Sequence, residues 1–158
     1  MSTRVAYGDP MTGLRPRIAA VLNLLGRFPM AVLQLMARLA VAGVFMKAGL
    51  TKIASWEFTV QLFADEYKVP VLSPELAAQL GTTIELGCSS LLILGLATRL
   101  ATLPLLGMIA VIQLFVYPNA WSEHLTWVSL LGFTLTRGAG PISVDRLIGL
   151  EPGAREGM

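Results

Sequence analysis

Long apolar stretches separated by short polar connections fill most of this chain. Apolar residues dominate residues 29–50, 74–96 and 100–116, and a shorter stretch covers residues 121–136. Roughly 20 residues of α-helix, at about 1.5 Å per residue, cross the ~30 Å hydrocarbon layer of a bilayer. The pattern therefore predicts an all-α, polytopic membrane protein, folded as an antiparallel bundle of four transmembrane helices.

Local signals mark where the first two of these helices begin. Ser73 is a favourable N-cap residue, Pro74 suits the first helical position, and Glu75 places a carboxylate in the first turn. Pro29 stands at the corresponding place before the first apolar stretch. We therefore expect the first helix to begin near Pro29 and the second near Pro74.

The connection between the first two helices, residues 52–73, has a helical pattern of its own. An apolar stripe at i, i+4, i+7 and i+11 comprises Trp56, Val60, Phe63 and Tyr67. Trp and Tyr favour the headgroup region of a bilayer. The stripe predicts a short interfacial helix between the first two spans, and the alternative is a helix packed on top of the bundle.

Residues 1–28 have a pattern unlike that of the four apolar stretches. Ile18, Val21, Leu22 and Leu25 recur at helical spacing, and Arg15, Arg17 and Arg27 flank them. This pattern is typical of an amphipathic helix on an anionic membrane surface. We therefore predict an N-terminal arm at 1–28, a four-helix membrane domain at 29–150 and a tail at 151–158.

The distribution of basic residues predicts the topology. The basic residues on one predicted side are Arg4, Arg15, Arg17, Arg27, Arg99, Arg137, Arg146 and Arg155. The opposite side has Lys52 and Lys68 in a net acidic connection, and residues 117–124 contain neither Lys nor Arg. Because cytoplasmic loops are enriched in Lys and Arg, both termini are expected in the cytoplasm.

Composition narrows the possible chemistry. Hydrophobic residues make up 54% and charged residues 14% of the chain, whereas soluble domains carry about 25% charged residues. The net charge of +2 argues against nucleic acid as a partner. A single cysteine and a single histidine exclude a disulfide, a CxxC pair and a bis-histidine haem site within one copy, and no metal site is predicted.

Two charged residues lie inside the apolar stretches. Arg38 is nine residues past Pro29 and Glu85 is eleven residues past Pro74. Their depths, roughly 13 and 16 Å from opposite sides, nearly coincide in a ~30 Å layer. A central charge costs roughly 2.5–3.5 kcal/mol on insertion scales. We therefore expect the Arg38 guanidinium and the Glu85 carboxylate to form a buried pair.

Helical periodicity adds residues to this inward face. Lys52 is fourteen residues from Arg38, only ~40° from a whole number of turns, and Gly49 shares the face, whereas Lys47 points the opposite way. Gln113 and Tyr117 are four residues apart on the third helix, and His124 lies near the outer mouth. The predicted intramembrane binding site comprises Arg38, Gly49, Lys52, Glu85, Gln113, Tyr117 and His124.

Two interpretations of these polar residues stay open. The Arg38–Glu85 pair either fixes helix register or forms a polar site for a quinone head group, a proton or a small polar substrate. His124, next to Glu123, fits a proton relay or a metal ligand, and the alternative is a histidine that caps a helix or faces water.

Three blocks of the sequence resemble the DoxX family. They are Arg38-Leu39 with Phe45 and Gly49-Leu-Thr-Lys52, then Glu85-Leu-Gly with Gly95-Leu-Ala-Thr-Arg-Leu-Ala101, and finally Gly140-Pro-Ile-Ser-Val-Asp145. The resemblance extends over residues 31–150. It implies a four-helix protein of the bacterial inner membrane.

The resemblance also implies a redox role. Some relatives are associated with quinone-linked sulfur oxidation, as a thiosulfate:quinone oxidoreductase subunit, and others with thiol and oxidative-stress defence. Under this hypothesis a quinone docks near Arg38, Lys52 and Glu85, and a partner subunit supplies the electrons. The chain is then at most one subunit of a membrane oxidoreductase.

The alternative is a non-enzymatic membrane module, such as a small transporter, an assembly factor or a scaffold. The buried charges would then only fix helix register, and the stripe at residues 56–67 would be a docking surface. Because four short helices leave little room for a transport path, a transporter of this kind would form a homo-oligomer.

Overall fold

The computed structural model describes the backbone of residues 11–151 and the side chains of residues 15–151, and every regular element in this range is helical. The helices are α1 Met11–Gly26, α2 Met30–Ala54, α3 Trp56–Leu62, α4 Pro74–Leu94, α5 Thr98–Val111, α6 Trp121–Arg137 and α7 Val144–Leu147. Two π-helical turns, Phe63–Tyr67 and Ile112–Val116, continue α3 and α5. The all-α prediction is confirmed.

The described part of the chain divides into two compact units, with the boundary between Met30 and Ala31. In the first unit, α1 exposes the apolar residues of the predicted amphipathic pattern, from Ile18 at 49% to Leu25 at 66%. Its binding to a membrane surface stays a prediction, as do the three predicted domain boundaries. Arg4 and Arg155 lie outside the described residues.

Three helices are long and apolar enough to cross a membrane: Met30–Ala54, Pro74–Leu94 and Thr98–Val116. The first continues past the expected end at residue 50, so Lys52 lies within α2 rather than in the connection that follows. The predicted start of the second helix is confirmed, because Ser73 Oγ accepts a hydrogen bond from the Leu76 backbone N–H and Pro74 is the first helical residue. The fourth expected span corresponds to α6, which has 17 residues.

The helices α2, α4, α5 and α6 share one hydrophobic core. Its buried residues are Val41, Ala42, Phe45, Leu92, Ala101, Leu105, Ile109 and Leu131. Phe45 of α2 contacts Trp127 of α6 edge to face, with 5.5 Å between ring centroids. Gly95 ends α4 in a left-handed conformation, φ 68°, and α5 begins three residues later, so these neighbours run antiparallel.

The apolar stripe of α3 packs against α4. Phe63 is buried with Ala77 and Ala78, and Trp56, Val60, Tyr67 and Val69 pack around them. This packing favours the alternative of a helix packed on the bundle, and it removes the stripe as a docking surface for partners. The physical reason is shape: the small side chains at the start of α4 leave room for the aromatic rings of α3.

The bundle has two distinct ends. The end that carries α3 and residues 117–120 is the α3 end, and the end that carries residues 95–97 and α7 is the α7 end. At the α7 end, the Asp145 carboxylate accepts hydrogen bonds from the backbone N–H groups of Ala97, at 2.7 Å, and Thr98, at 2.9 Å. The carboxylate therefore caps the N-terminus of α5 and ties α7 to the turn between α4 and α5.

Candidate functional site

An ion pair joins α2 and α4 inside the bundle. Lys52 Nζ donates to both carboxylate oxygens of Glu85, at 2.6 Å to Oε1 and 2.8 Å to Oε2. The side chains are only 15% and 5% exposed, respectively. Two ionised groups at such burial must satisfy each other, because few water molecules reach them.

Gly49 lies one turn before Lys52, where α2 approaches α4 closely. A Cβ atom at Gly49 would lie 2.7 Å from Leu86 Cγ and 3.2 Å from Glu85 Cβ. A larger side chain at this position would force Leu86 or the helix backbones to shift. Gly49 therefore helps to bring the lysine and the carboxylate within reach of each other.

The expected pairing of Arg38 with Glu85 is wrong. Arg38 is 2% exposed, and its guanidinium donates to the backbone carbonyls of Ala139, at 2.6 Å, and Ile142, at 2.8 Å. The carboxylates of Asp145 and Glu151 provide its electrostatic attraction at longer range. Arg38 thus ties the C-terminal segment to the bundle at the α7 end.

The error arises from the axial offset between the helices. The Arg38 guanidinium packs at the level of Gly95, which is ten residues, or about 15 Å along α4, from Glu85. The first eight residues of α2 precede this level, so they extend beyond the end of α4. The depth estimate from Pro29 counted these residues as part of the paired region, and it therefore placed Arg38 too deep.

Two cavities meet at the Lys52–Glu85 pair. The larger, of about 660 Å³ and here called the α6 cavity, lies between α2, α6 and residues 116–120. The smaller, of about 470 Å³ and here called the α4 cavity, lies between α3, α4 and α5. Both volumes are in the range of small-molecule sites. The residues that line both cavities are Lys52, Tyr67, Glu85, Ile112, Val116 and Tyr117.

The two cavities differ in chemistry. The α6 cavity adds polar groups from Asn119, Glu123 and His124 to the aromatic rings of Phe45 and Trp127. The other residues of the α4 cavity are apolar or glycine: Phe63, Val69, Leu72, Ala77, Leu80, Gly81, Ile84, Pro104, Gly107, Met108 and Val111. The ion pair therefore lies between a mainly apolar cavity that has several polar groups and a cavity whose other lining residues are all apolar or glycine.

Two tyrosines close the site at the α3 end. Tyr67 and Tyr117 pack edge to face, 5.8 Å apart, and the Tyr117 hydroxyl donates to Glu66 Oε1 at 2.5 Å. The bond to this carboxylate raises the pKa of Tyr117 well above its ordinary value. Burial raises the pKa of Tyr67, and the charges of Glu66 and Glu85 add to this effect.

His124 and Gln113 also lie together. His124 is 3% exposed, and its Nδ1 is 2.5 Å from Gln113 Oε1. The other end of the Gln113 amide, Nε2, donates to the Pro118 carbonyl at 2.7 Å. His124 therefore belongs to the wall of the α6 cavity and does not face water.

The structure brings most of the sequence-predicted residues together. Those around the two cavities are Gly49, Lys52, Glu85, Gln113, Tyr117 and His124, whereas Arg38 lies elsewhere. Sequence reasoning had assigned Tyr67 only to a surface stripe, and it missed Trp127 as part of the site. The sequence shows that both residues are aromatic, but their position beside the ion pair depends on contacts between distant parts of the chain.

The comparison with protein families gives a match to DoxX over residues 33–118, which is 86 of the 158 residues. The match is shorter than the expected resemblance over residues 31–150, and it includes Lys52, Glu85 and Tyr117. The comparisons with curated proteins and with solved structures gave no match. Since the family match covers more than half of a chain rich in long apolar helices, the protein is a membrane protein that belongs to the DoxX family.

Proposed function

We propose that this protein binds a quinone head group beside Lys52 and Glu85 and serves as a membrane subunit of a redox system. The observation that carries the proposal is the buried ion pair at the junction of the two cavities. Buried ion pairs in membrane helices commonly mark ligand or proton sites. A thiol or sulfur compound is the substrate class that the family suggests for the redox partner.

The residues present fit a quinone. Its carbonyl oxygens need hydrogen-bond donors, and Lys52 Nζ has one N–H left beyond its two bonds to Glu85. The Tyr67 hydroxyl offers a second donor on the same wall, and Phe45 and Trp127 present aromatic surface to a planar ring. When bound, a quinone would supply two-electron and two-proton chemistry.

The α4 cavity suits the apolar tail of such a ligand. Several of its lining residues are surface-exposed on the membrane helices, among them Leu80 at 45% and Val111 at 36%. In a bilayer these positions contact lipid, so a ligand could enter sideways from the hydrocarbon layer. The tail would then lie between α4 and α5 while the head group lies at the ion pair.

Electrons would come from a partner protein. The chain has one cysteine and one histidine, so its own side chains offer no cysteine pair and no bis-histidine haem ligation. In this proposal the protein binds the quinone, and the partner protein supplies the electrons that reduce it.

We further propose four membrane spans, with α6 as the fourth. Its 17 residues are at the lower limit for a span. The basic residues Arg99, Arg137 and Arg146 support a topology in which the α7 end lies in the cytoplasm of a bacterial cell and the α3 end lies outside the inner membrane. Single cysteines engineered into a Cys88→Ser background and labelled in intact cells with a membrane-impermeant maleimide test this topology: position 119 should react and position 147 should not.

The second candidate is a non-enzymatic module in which the charges only fix helix register. The contacts of Arg38 with Ala139 and Ile142 favour a register role for that residue. They do not extend to Lys52 and Glu85, which line cavities and bind each other across two helices. The two candidates therefore make different predictions for Lys52.

A binding titration separates them. Protein in lipid nanodiscs is titrated with decylubiquinone, and quenching of tryptophan fluorescence reports binding. Lys52→Met and Glu85→Gln should weaken binding about tenfold or more, as expected for loss of a charge-assisted bond. Lys47→Met changes an exposed lysine on the same helix and should leave the affinity unchanged. A folded Lys52→Met protein that binds like the wild type would favour the register interpretation.

A further inference from the structure

The hydrogen bonds around His124 determine which ring nitrogen carries the proton in its neutral form. The Pro118 carbonyl can only accept a hydrogen bond, so the Gln113 side chain must direct its NH₂ group there, at 2.7 Å. Gln113 Oε1 then faces His124 Nδ1. Because this oxygen is itself only an acceptor, Nδ1 must carry the hydrogen.

This tautomer determines the hydrogen-bonding role of the other ring nitrogen, His124 Nε2. With the hydrogen on Nδ1, Nε2 of the neutral ring is an acceptor. Within residues 15–151 no side chain or backbone group donates to it, although the residue is 3% exposed and lines the α6 cavity. Because His124 lines the α6 cavity, a ligand hydroxyl in that cavity can donate to this nitrogen.

We propose that His124 Nε2 accepts a hydrogen bond from a ligand hydroxyl, so that the site prefers the hydroquinone form of its ligand over the quinone form. The inference rests on the proposed function. The hydroxyls of a hydroquinone can donate to His124 and accept from Lys52, since both residues line the α6 cavity. A quinone carbonyl can only accept, so it cannot bind Nε2 of this tautomer. Sites built to bind a hydroxyl discriminate strongly against analogues that lack it.

The other polar groups on this wall agree with the preference. The Glu85 carboxylate is a second acceptor, although Lys52 occupies both of its oxygens. Glu123 adds an acidic group next to His124. The Tyr117 hydroxyl already donates to Glu66, and the donors for ligand oxygens are the Tyr67 hydroxyl, the Asn119 amide and the remaining N–H of Lys52.

The first test needs no ligand. Because His124 is the single histidine of the chain, protein labelled with ¹⁵N-histidine and purified without a histidine tag contains one imidazole. Its neutral form should show a protonated Nδ1 and an unprotonated Nε2 in ¹⁵N NMR spectra. A neutral ring protonated at Nε2 would overturn the inference.

The second test compares the two ligand forms. Under anaerobic conditions decylubiquinol should bind the wild type about tenfold more tightly than decylubiquinone. His124→Asn keeps a donor for Gln113 at the Nδ1 position but removes Nε2, so the two affinities should become similar. Equal affinities in the wild type would overturn the inference alone, whereas absence of binding by either form would overturn the proposed function itself.

Discussion

Lys52 and Glu85 are 33 residues apart in the sequence, and the lysine amine donates to both oxygens of the carboxylate across the α2–α4 contact. Within the described residues, neither Lys52 nor Glu85 lies at salt-bridge distance from a second group of opposite charge. The pair therefore depends on both members. It also lies where the two cavities meet, and it is there that we propose an amphipathic ligand binds.

Removal of the lysine should destabilise the bundle. Lys52→Met leaves the Glu85 carboxylate buried without its partner, and loss of one member of a buried pair costs about 3–5 kcal/mol. Lys47→Met, on the exposed face of α2, should change the free energy of unfolding by no more than about 0.5 kcal/mol. Denaturant unfolding in detergent micelles, followed by circular dichroism, measures both. Equal stabilities of the two variants would contradict the assignment of Glu85 as a charged partner.

Gly49 and Gly43 form a matched pair of glycines in α2. A Cβ at Gly49 would lie 2.7 Å from Leu86, whereas a Cβ at Gly43 meets nothing within 4 Å. Gly49→Ala should therefore destabilise the protein by about 1–3 kcal/mol through overpacking. Gly43→Ala should be neutral or stabilising by up to about 1 kcal/mol, because alanine favours the helix. Thermal unfolding measures the stability of both variants. A Gly43→Ala protein less stable than Gly49→Ala would refute the close α2–α4 approach.

Arg38 should control the order of the C-terminal segment. Two of its three guanidinium nitrogens donate to the carbonyls of Ala139 and Ile142, a forked geometry that a lysine amine does not reproduce. Arg38→Lys should cost about 1–3 kcal/mol and accelerate hydrogen exchange in residues 139–150. Arg99→Lys, an exposed arginine at the same end, is the control. Exchange that stays slow in Arg38→Lys would show that the segment is held by other contacts.

Tyr67 and Tyr117 should lose their hydroxyl protons at a higher pH than an ordinary tyrosine does. The folded-state pKa values of Tyr67 and Tyr117 are raised, so the folded state holds these protons more tightly than the unfolded state does. The resulting stability is intact below the ordinary pKa of about 10 and is lost as the pH rises above it. Tyrosinate absorbance should therefore develop at higher pH in the folded protein than in the denatured protein, and Tyr117→Phe should remove one late-titrating group. Identical curves for folded and denatured protein would contradict this prediction.

Much of the fold could be predicted from the sequence, because local patterns determine it. The Ser73-Pro74 start of α4 depends on capping chemistry that is readable from three residues. Helical periodicity placed Gly49 on the buried face of α2 and Lys47 on the exposed face, as the structure has them. These features require no knowledge of neighbouring helices.

The pairing of the charged residues could not be predicted in the same way. It depends on the axial offset of α2 and α4, which is set by packing over the whole bundle. It also depends on residues 139–142, which return more than 100 positions later to supply carbonyl acceptors for Arg38. A depth estimate that counts residues from the helix starts includes neither the offset nor these distant carbonyls. It therefore pairs Glu85 with Arg38, whereas the structure pairs Glu85 with Lys52.

The position of a bound quinone head group tests the proposed site at Lys52 and Glu85. Protein in nanodiscs is irradiated with a quinone that carries a photoreactive azide on its ring, then digested and mapped by mass spectrometry. The proposed site predicts that the label attaches to residues around the Lys52–Glu85 junction, such as Phe45, His124 or Trp127, and that excess decylubiquinone prevents the labelling. Label that is confined to the outer surfaces of the helices and is insensitive to competition would contradict it.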